Sequence, residues 1–433
     1  MRIELINTGA ELLVGRVLNT HQQWLCRQLA DLGREVSRQV CVPDDALQIR
    51  DALRESLARS ELVIITGGLG PTSDDLTRDV VAQVLRRKLV RHPATLSRIR
   101  HFFAARHRPM PAGVQVQAMI PEGAMVLVNC NGTAPGLALQ TIAGKQCLIL
   151  LPGPPRELRP LFLKSVVPLL RRKFPLASPF LCHTFKTTGL GESIVEEKIA
   201  PALQPLVRNG LQLAYCARVG EVDVRLAARG EKAASLLAQG IRRVRRLLGP
   251  VIFGTGDDSL ESVLIRLLIA RQKTLAVAES CTGGFLAHRL TNVPGSSAVF
   301  LGGVVAYSNQ VKQDLLGVSA ETLRRHGAVS EPVARAMAEG ARRLLRADCA
   351  LAVTGLAGPG GGTPDKPAGT AFIALSQNKG TAVLLQHSPV DRETFKFAVS
   401  QRALDLLRQA LPPPLPRPGV KSKKNSKKSL LLA

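Results

Sequence analysis

Aromatic residues are scarce in this chain. Phenylalanine, tryptophan and tyrosine make up 3% of its 433 residues, whereas hydrophobic residues as a whole make up 45%. Its cores must therefore be built from leucine, valine, isoleucine and alanine, a composition that suits globular α/β proteins. Because single cores stop growing at roughly 250 to 300 residues, a chain of this length predicts two or three domains.

Paired cysteine motifs and long apolar runs are also missing. The eight cysteines form no CxxC pair, and no histidine accompanies them at metal-ligand spacing. This pattern disfavours a disulfide framework or a zinc site and predicts reduced thiols. No segment approaches the roughly 20 apolar residues of a membrane span, and the first residues lack the apolar core of a secretion signal. We therefore expect a cytoplasmic protein with no membrane partner.

Acidic residues are far fewer than basic ones, and the formal net charge is +25. Six of the cations fall in the segment 412–433, a Pro- and Lys-rich tail that is predicted to be disordered. Many of the others cluster in helical runs, where a solvated face explains them. The charge is too widely spread to predict specific nucleic-acid binding.

The order of apolar segments predicts three folded parts. Strands alternate with amphipathic helices over 1–170, which indicates a domain built on a parallel sheet. The segment 171–255 is expected to be a small α+β domain, with a helix from Glu192, a strand pair and a basic helix. A second α/β domain is expected over 256–411. The predicted fold class is thus multidomain α/β.

The most prominent local motif is AESCTGG, which places Ser280 at the end of an apolar strand and before a helix. A hydroxyl on such a turn lies beside free backbone N–H groups of the helix, which can hold a phosphate or a developing oxyanion. The alternative is that Ser280 simply caps that helix.

Two further segments point to chemistry in the same domain. Tyr307 and Lys312 lie close together in one block, and a lysine deprived of water can lose its proton and activate a serine. The segment 354–370 has six glycines and three prolines after an apolar strand, and we interpret these glycines as allowing a ligand to approach the backbone. No GK[ST] or strand-to-helix GxGxxG motif occurs, so an ATPase or a dinucleotide dehydrogenase is not expected.

A second constellation lies near the N-terminus, in GGLGPTSDDLT at 67–77. Its glycines follow the strand LVIIT, so their amides should lie at the ligand-binding edge of a sheet. Asp74 and Asp75 could hold a divalent ion against a pyrophosphate, or could cap the next helix.

Together these motifs resemble the CinA family. AESCTGG, the Tyr307–Lys312 block, HGAVSEP at 326–332 and the glycine-rich segment resemble its C-terminal amidohydrolase domain. The motif at 67–77, with NTGAELLVG at 7–15, NGTAPG at 131–136 and LPGPPRE at 151–157, resembles its molybdopterin-binding-like domain. The resemblance implies an N-terminal parallel-sheet molybdopterin-binding-like domain (1–170), a KH-like domain (171–255) and a C-terminal α/β CinA domain (256–411).

For the C-terminal domain the resemblance implies hydrolysis of nicotinamide mononucleotide to nicotinic acid mononucleotide and ammonia, without a cofactor. Ser280 would be the nucleophile, Lys312 its general base, Tyr307 a lining residue, and Arg392 a ligand of the substrate phosphate or of the transition state. Val390 stands where the family usually has glycine in the Arg392 motif. The substrate-binding backbone would be that of Thr282, Gly283, Gly284, Gly358, Gly360, Gly361 and Gly362.

For the N-terminal domain the resemblance implies a site that in some family members cleaves ADP-ribose with a divalent metal, for which Asp74 and Asp75 would be the ligands. Ala10 replaces a threonine of the usual motif. The other expected members of this site are Glu11, Gly67, Gly68, Gly70, Thr77 and Glu157. The KH-like segment carries TGLGES without a basic residue, so we interpret it as a spacer or dimer element of a homo-oligomer and not as an RNA-binding module. The alternative function is a non-catalytic pterin- or nucleotide-binding, or competence-associated, scaffold.

Overall fold

The computed structural model of the protein describes residues 1–141, 144 and 146–411. The chain forms two compact units, one of residues 1–182 with 229–231, the other of residues 183–228 and 232 onward. The predicted basic tail, 412–433, lies outside the described residues. No helix in the described part is both long and apolar enough to cross a membrane.

The first unit is built on a six-stranded sheet with strand order β2-β1-β3-β8-β7-β6. Its strands, with those of a separate two-stranded ribbon β4-β5, are β1 (Ile3–Thr8), β2 (Val36–Val42), β3 (Leu62–Thr66), β4 (Leu89–Arg91), β5 (Met119–Pro121), β6 (Met125–Leu127), β7 (Gly136–Gln140) and β8 (Cys147–Leu151). Its helices are α1 (Ala10–Leu13), α2 (Thr20–Asp31), α3 (Ala46–Arg59), α4 (Thr77–Val84), α5 (Pro93–Ala104), α6 (Pro155–Leu161) and α7 (Val167–Lys173).

The sheet of this unit is parallel where helices cover both faces. β2, β1, β3 and β8 pair in parallel, and β7 and β6 add antiparallel strands at one edge. Every residue of β3 (LVIIT) and β8 (CLILL) is buried, as expected of central strands in a parallel sheet. The predicted parallel-sheet fold is confirmed, and the helix expected from Asp45 to Arg59 is α3, with the Asp45 carboxylate accepting the Gln48 N–H.

The second unit contains two sheets. Its strands are β9 (Phe180–Thr188), β10 (Leu211–Arg218), β11 (Glu221–Arg229), β12 (Ile252–Thr255), β13 (Leu275–Glu279), β14 (Phe300–Val305), β15 (Cys349–Gly355), β16 (Thr370–Gln377) and β17 (Gly380–His387). Its helices are α8 (Glu192–Arg208), α9 (Ala233–Leu248), α10 (Leu260–Arg271), α11 (Phe285–Thr291), α12 (Asn309–Asp314), α13 (Ala320–His326), α14 (Glu331–Leu344) and α15 (Arg392–Ala410).

The KH-like segment has a four-stranded sheet of order β10-β11-β9-β12, whose β10 and β11 form an antiparallel hairpin. The expected helix from Glu192, strand pair and basic helix are all present. The C-terminal segment has a five-stranded sheet of order β14-β13-β15-β16-β17. β14, β13 and β15 are parallel, and β16 and β17 are antiparallel. Two apolar clusters, one on each face, bury this sheet.

Helix α14 approaches the segment after α12 unusually closely. A Cβ atom added at Gly340, in the interior of α14, would lie 1.9 Å from the carbonyl oxygen of Leu316. Leu316 follows α12, which carries Lys312. A glycine in α14 therefore lets the backbone near Lys312 pack against the core of the domain.

We predict that Gly340→Ala destabilises the protein. Alanine favours a helix interior by about 1 kcal/mol over glycine, but displacing a packed backbone costs about 1–3 kcal/mol or more, so the free energy of unfolding should fall. The control is Gly240→Ala in α9, where the new Cβ would lie 3.1 Å from the ends of two leucine side chains that can rotate. In urea denaturation, the free energy of unfolding should be clearly lower for Gly340→Ala than for Gly240→Ala. Equal free energies of unfolding for the two variants would contradict the packing argument.

Candidate active site

Ser280 lies where three parallel strands end. It follows β13, and its N–H donates to the carbonyl oxygen of Val353 in β15 at 2.9 Å. On the other side, the N–H of Ala306, just after β14, donates to the carbonyl oxygen of Glu279 at 2.8 Å. The half-buried Ser280 is thus held by neighbours on both sides, at the sheet edge where α/β proteins bind ligands.

The Ser280 hydroxyl does not cap the helix that follows it. Helix α11 begins at Phe285, and its N-cap residue is Gly284, which offers no side chain. Gly283 and Gly284 have φ angles of 61° and 92°, a left-handed conformation that favours glycine. The interpretation of Ser280 as a helix cap is therefore wrong, and its hydroxyl is left for another role.

Glu279 caps helix α11 instead, from inside the strand. Its carboxylate is buried and accepts the backbone N–H groups of Gly284, Leu286 and Ala287 at 3.0, 2.9 and 2.8 Å. The role of Glu279 was not predicted from the sequence, although a glutamate within an apolar strand indicates a side chain that needs hydrogen-bond partners. Because Glu279 uses the Gly284 amide, that amide is not free to stabilise an oxyanion, contrary to the role expected of Gly284. The Gly283 and Phe285 N–H groups donate to the Ser280 and Thr282 carbonyl oxygens, so the N–H groups of Cys281 and Thr282 are the ones in the turn that bond neither to Glu279 nor to a backbone carbonyl.

Lys312 is buried at the same sheet edge. Its Nζ donates to the carbonyl oxygens of Ala306 at 2.7 Å, Tyr307 at 3.2 Å and Ser308 at 3.5 Å. Burial lowers the pKa of this ammonium group, against a smaller opposing effect of Cys281. These three carbonyl acceptors favour the ammonium form, so the lowering of the pKa comes from burial and not from these contacts. The described side chains include no direct Lys312–Ser280 hydrogen bond, and Ala306 is the residue that links their surroundings.

Tyr307 and Arg392 contact each other, although 85 positions separate them. Arg392 donates one guanidinium N–H to the Tyr307 hydroxyl and another to the carbonyl oxygen of Gly358, each at 3.0 Å. Val390, which replaces the family's glycine, is not among the residues with a positive φ, so its side chain causes no backbone strain. Three of the expected site elements are therefore joined by direct hydrogen bonds.

The glycines of the loop after β15 mostly serve the loop itself. Gly358 and Gly361 have φ angles of 72° and 86°, and a Cβ at Gly362 would lie 2.6 Å from the amide nitrogen of Ala368. Only Gly360 among these four has open space and no left-handed φ. The loop's own conformation therefore requires glycine at 358, 361 and 362, and the approach of a ligand to this backbone stays a prediction.

The first unit contains a separate acidic cavity of about 400 Å³. It brings together Glu11, Gly67, Gly68, Gly70, Asp74, Asp75 and Glu157, all expected from the sequence. Thr77 lies behind it, and its hydroxyl leaves no room for a Cβ at Gly68. Sequence reasoning missed Asp44, which lines the cavity. Its pKa is raised by burial and by the nearby carboxylates of Glu11, Asp74 and Asp75.

Neither of the paired aspartates caps the next helix. Helix α4 has Leu76 as its N-cap residue and no side-chain cap, and Asp75 instead accepts the N–H of Thr72 at 2.9 Å. Across the described residues, no group of three or more histidine, cysteine, aspartate or glutamate side chains is arranged to hold a metal ion. The site expected from the sequence needs only two aspartates and a pyrophosphate as ligands, so it stays a prediction, and we derive no metal-dependent step from it.

Comparisons with known proteins cover almost the whole described chain. Residues 4–172 match the family model "Probable molybdopterin binding domain", residues 183–254 match "Damage-inducible protein CinA KH domain", and residues 257–411 match "CinA C-terminal domain". A CinA-like protein of Akkermansia muciniphila is 45% identical over 93% of this chain and 96% of its own. One of Kosmotoga olearia is 43% identical over 95% and 100%.

Solved structures are similar to parts of this chain. The competence/damage inducible protein CihA of Agrobacterium tumefaciens is 39% identical to the matched part, which covers 35% of this chain and 96% of that one, with a TM-score of 0.34.

We predict that Glu279→Gln destabilises the turn that carries Ser280. The glutamine amide would turn an N–H group toward backbone N–H donors, and a hydrogen bond to a charged group contributes about 1.5–3 kcal/mol. The free energy of unfolding should therefore fall by about 2 kcal/mol or more. The control is Glu339→Gln in α14, whose carboxylate accepts one bond from the Thr381 hydroxyl at 2.8 Å. Equal losses for the two variants in urea denaturation would show that Glu279 does not hold the turn.

Proposed function

The chain belongs to the CinA family, and from that premise we propose that its C-terminal domain hydrolyses the amide of nicotinamide mononucleotide. The products are nicotinic acid mononucleotide and ammonia. The observation that supports this most is the joining of Tyr307, Arg392 and Gly358 at the sheet edge where Ser280 stands free of any capping role.

In the proposed reaction, the Ser280 oxygen attacks the amide carbonyl carbon while Lys312 accepts the hydroxyl proton. The oxyanion of the tetrahedral intermediate is held by the N–H groups of Cys281 and Thr282. Lys312 then returns the proton to the amide nitrogen, which leaves as ammonia. Water hydrolyses the acyl-serine ester by the same route and regenerates Ser280. Organic groups fill each role, so the proposal requires no cofactor.

Arg392 positions the substrate in this proposal. Its guanidinium is fixed by Tyr307 and Gly358, so its remaining N–H groups are preorganised to bind a substrate anion. Preorganisation lowers the entropy cost of binding, because the long side chain is already ordered.

The alternative is a scaffold that binds a nucleotide or acts near DNA without catalysis. Nucleotide binding without ammonia release would favour that alternative. ADP-ribose cleavage in the first unit remains a prediction from family resemblance, because the described carboxylates do not form a metal-binding group.

We predict that Ser280→Ala abolishes ammonia release from nicotinamide mononucleotide with little change in thermal stability. Lys312→Met should be similarly inactive, and the double variant should be scarcely worse than either, because nucleophile and base act as a unit. The control is Ser319→Ala, which removes a true cap, the hydroxyl that accepts the Thr322 N–H at 3.0 Å. This control should lose about 1 kcal/mol of stability and keep its rate. Normal turnover by Ser280→Ala would refute the nucleophile assignment.

We also predict that the rate rises with pH as Lys312 loses its proton. A base works only when deprotonated, and burial lowers the Lys312 pKa, so the rise should be centred below the value of about 10.4 found for free lysine side chains. The Cys281 thiol does not account for such a rise, because burial raises its pKa to about 12. The profile of kcat/KM against pH tests this, and a profile centred at or above the free-lysine value would contradict Lys312 as the base.

A further inference from the structure

A second feature of the catalytic unit is a cavity of about 760 Å³ between the tip of the β10–β11 hairpin and the start of α15. It adjoins the proposed active site, because Arg392 lines it and Phe285 begins the helix that follows the Ser280 turn. From the hairpin, Arg218, Val219 and Glu221 form the facing wall.

Two cations without carboxylate partners lie one turn apart on this cavity. Arg392 and Lys396 are spaced i and i+4 on α15, so they share a helix face. Among the described residues no carboxylate oxygen lies within 4 Å of either one. Arg392 bonds to uncharged oxygens, and Lys396 lies 5.8 Å from the centre of the Phe285 ring. The N–H groups of this pair are therefore not taken up by a carboxylate and can donate to an anionic ligand.

Two of the carboxylates that line the cavity accept hydrogen bonds from amide groups and do not contact Arg392 or Lys396. Asp391 accepts the N–H groups of Glu393 and Thr394 at 3.0 and 2.9 Å, and Glu221 accepts from the Gln401 amide at 2.9 Å. Glu393 is exposed and lies more than 4 Å from both cations. The third basic side chain, Arg218, is paired with Asp223 at 2.6 Å. The lining thus has three acidic and three basic side chains, and Arg392 and Lys396 are distinguished by having no carboxylate in direct contact.

Aromatic side chains give the cavity an apolar face. The Phe285 and Phe397 ring centres are 6.3 Å apart, and the Arg289 guanidinium lies 4.7 Å from the centre of Phe397. The two phenylalanines form an apolar wall beside Arg392 and Lys396, which strengthens a charged contact there by limiting the access of water.

The hairpin wall is held firmly against α15. Gln401 donates to Glu221 at 2.9 Å, and its oxygen accepts from Arg289 at 2.5 Å. A Cβ at Gly220, whose φ is 71°, would lie 3.1 Å from Gln401 Cγ. The KH-like segment is therefore more than a spacer within this unit, because it contributes one wall of a cavity.

We infer that this cavity is the subsite for the phosphate monoester of a nucleotide substrate, with Lys396 as a phosphate-binding residue beside Arg392 and the hairpin tip as its outer wall. The inference rests on the proposed function, since the amide must reach Ser280 while the phosphate lies at α15. Lys396 binds the phosphate directly and takes no part in the bond changes at the amide.

The test uses the full chain and two substrates that differ only in the phosphate, nicotinamide mononucleotide and nicotinamide riboside. Lys396→Gln should raise the KM for the mononucleotide about tenfold and leave kcat within about twofold, since one charged contact is lost. Its KM for the riboside should not change. The control is Lys379→Gln, an exposed lysine in the β16–β17 turn, which should leave both KM values unchanged.

A second variant tests the hairpin wall. Val219→Trp places an indole ring in the cavity from an exposed position and should raise the KM for the mononucleotide at least tenfold. Unchanged KM values in both variants, with an active wild-type protein, would overturn the inference. If the wild-type protein releases no ammonia, the proposed function fails. In that case the affinity for nicotinic acid mononucleotide is measured by calorimetric titration of the wild-type protein and of Lys396→Gln. An affinity about tenfold weaker in the variant supports the phosphate subsite, and an unchanged affinity contradicts it.

Discussion

The conformation of the turn that carries Ser280 depends on the hydrogen bonds between the buried Glu279 carboxylate and the first amides of α11. A charged group inside a β-strand is costly unless hydrogen bonds replace its water, and here three amides of the α11 N-terminus do so. The same contacts fix where α11 begins relative to β13. Because the Ser280 turn spans the gap between them, its conformation follows from this pairing and from the left-handed Gly283 and Gly284. The serine is thereby relieved of a capping role.

Lys312 is subject to a related constraint. An ammonium group can be buried only among acceptors, and the loop after β14 turns three carbonyl oxygens toward Nζ. Leu316, which follows the helix that carries Lys312, packs closely against α14 because Gly340 has no side chain. The lowered pKa of Lys312 is therefore a consequence of backbone packing more than of any charged neighbour. A substitution far from the amide could alter the base by loosening this contact.

Much of the fold could be predicted from the sequence, because its signals are local. The apolar runs that the sequence predicts as strands are the buried β3 and β15. The site was harder to predict where the role of a residue depends on a contact that only the folded chain brings together. Asp44 joins Glu11 only because β1 and β2 pair in parallel, and Glu279 looks like an exception within an apolar strand until its amide partners are known. That the loop itself requires glycine at 358 and 361 could not be predicted, because a sequence does not reveal φ.

An unpaired cation is weak evidence by itself in a chain with 58 basic and 33 acidic residues. The comparison within α15 is more informative. In its second half, Arg402 and Arg408 both approach Asp405, at 3.6 and 2.7 Å, so the helix pairs its cations where it packs against the domain. In its first half, Arg392 and Lys396 share one face without such a partner, and that face borders a cavity with an aromatic wall. Repulsion between Arg392 and Lys396, one turn apart, destabilises the helix slightly when no ligand is bound. A phosphate bound between them would attract both cations and so make the pair favourable. The arrangement is thus better explained by an anionic ligand than by chance excess of basic residues.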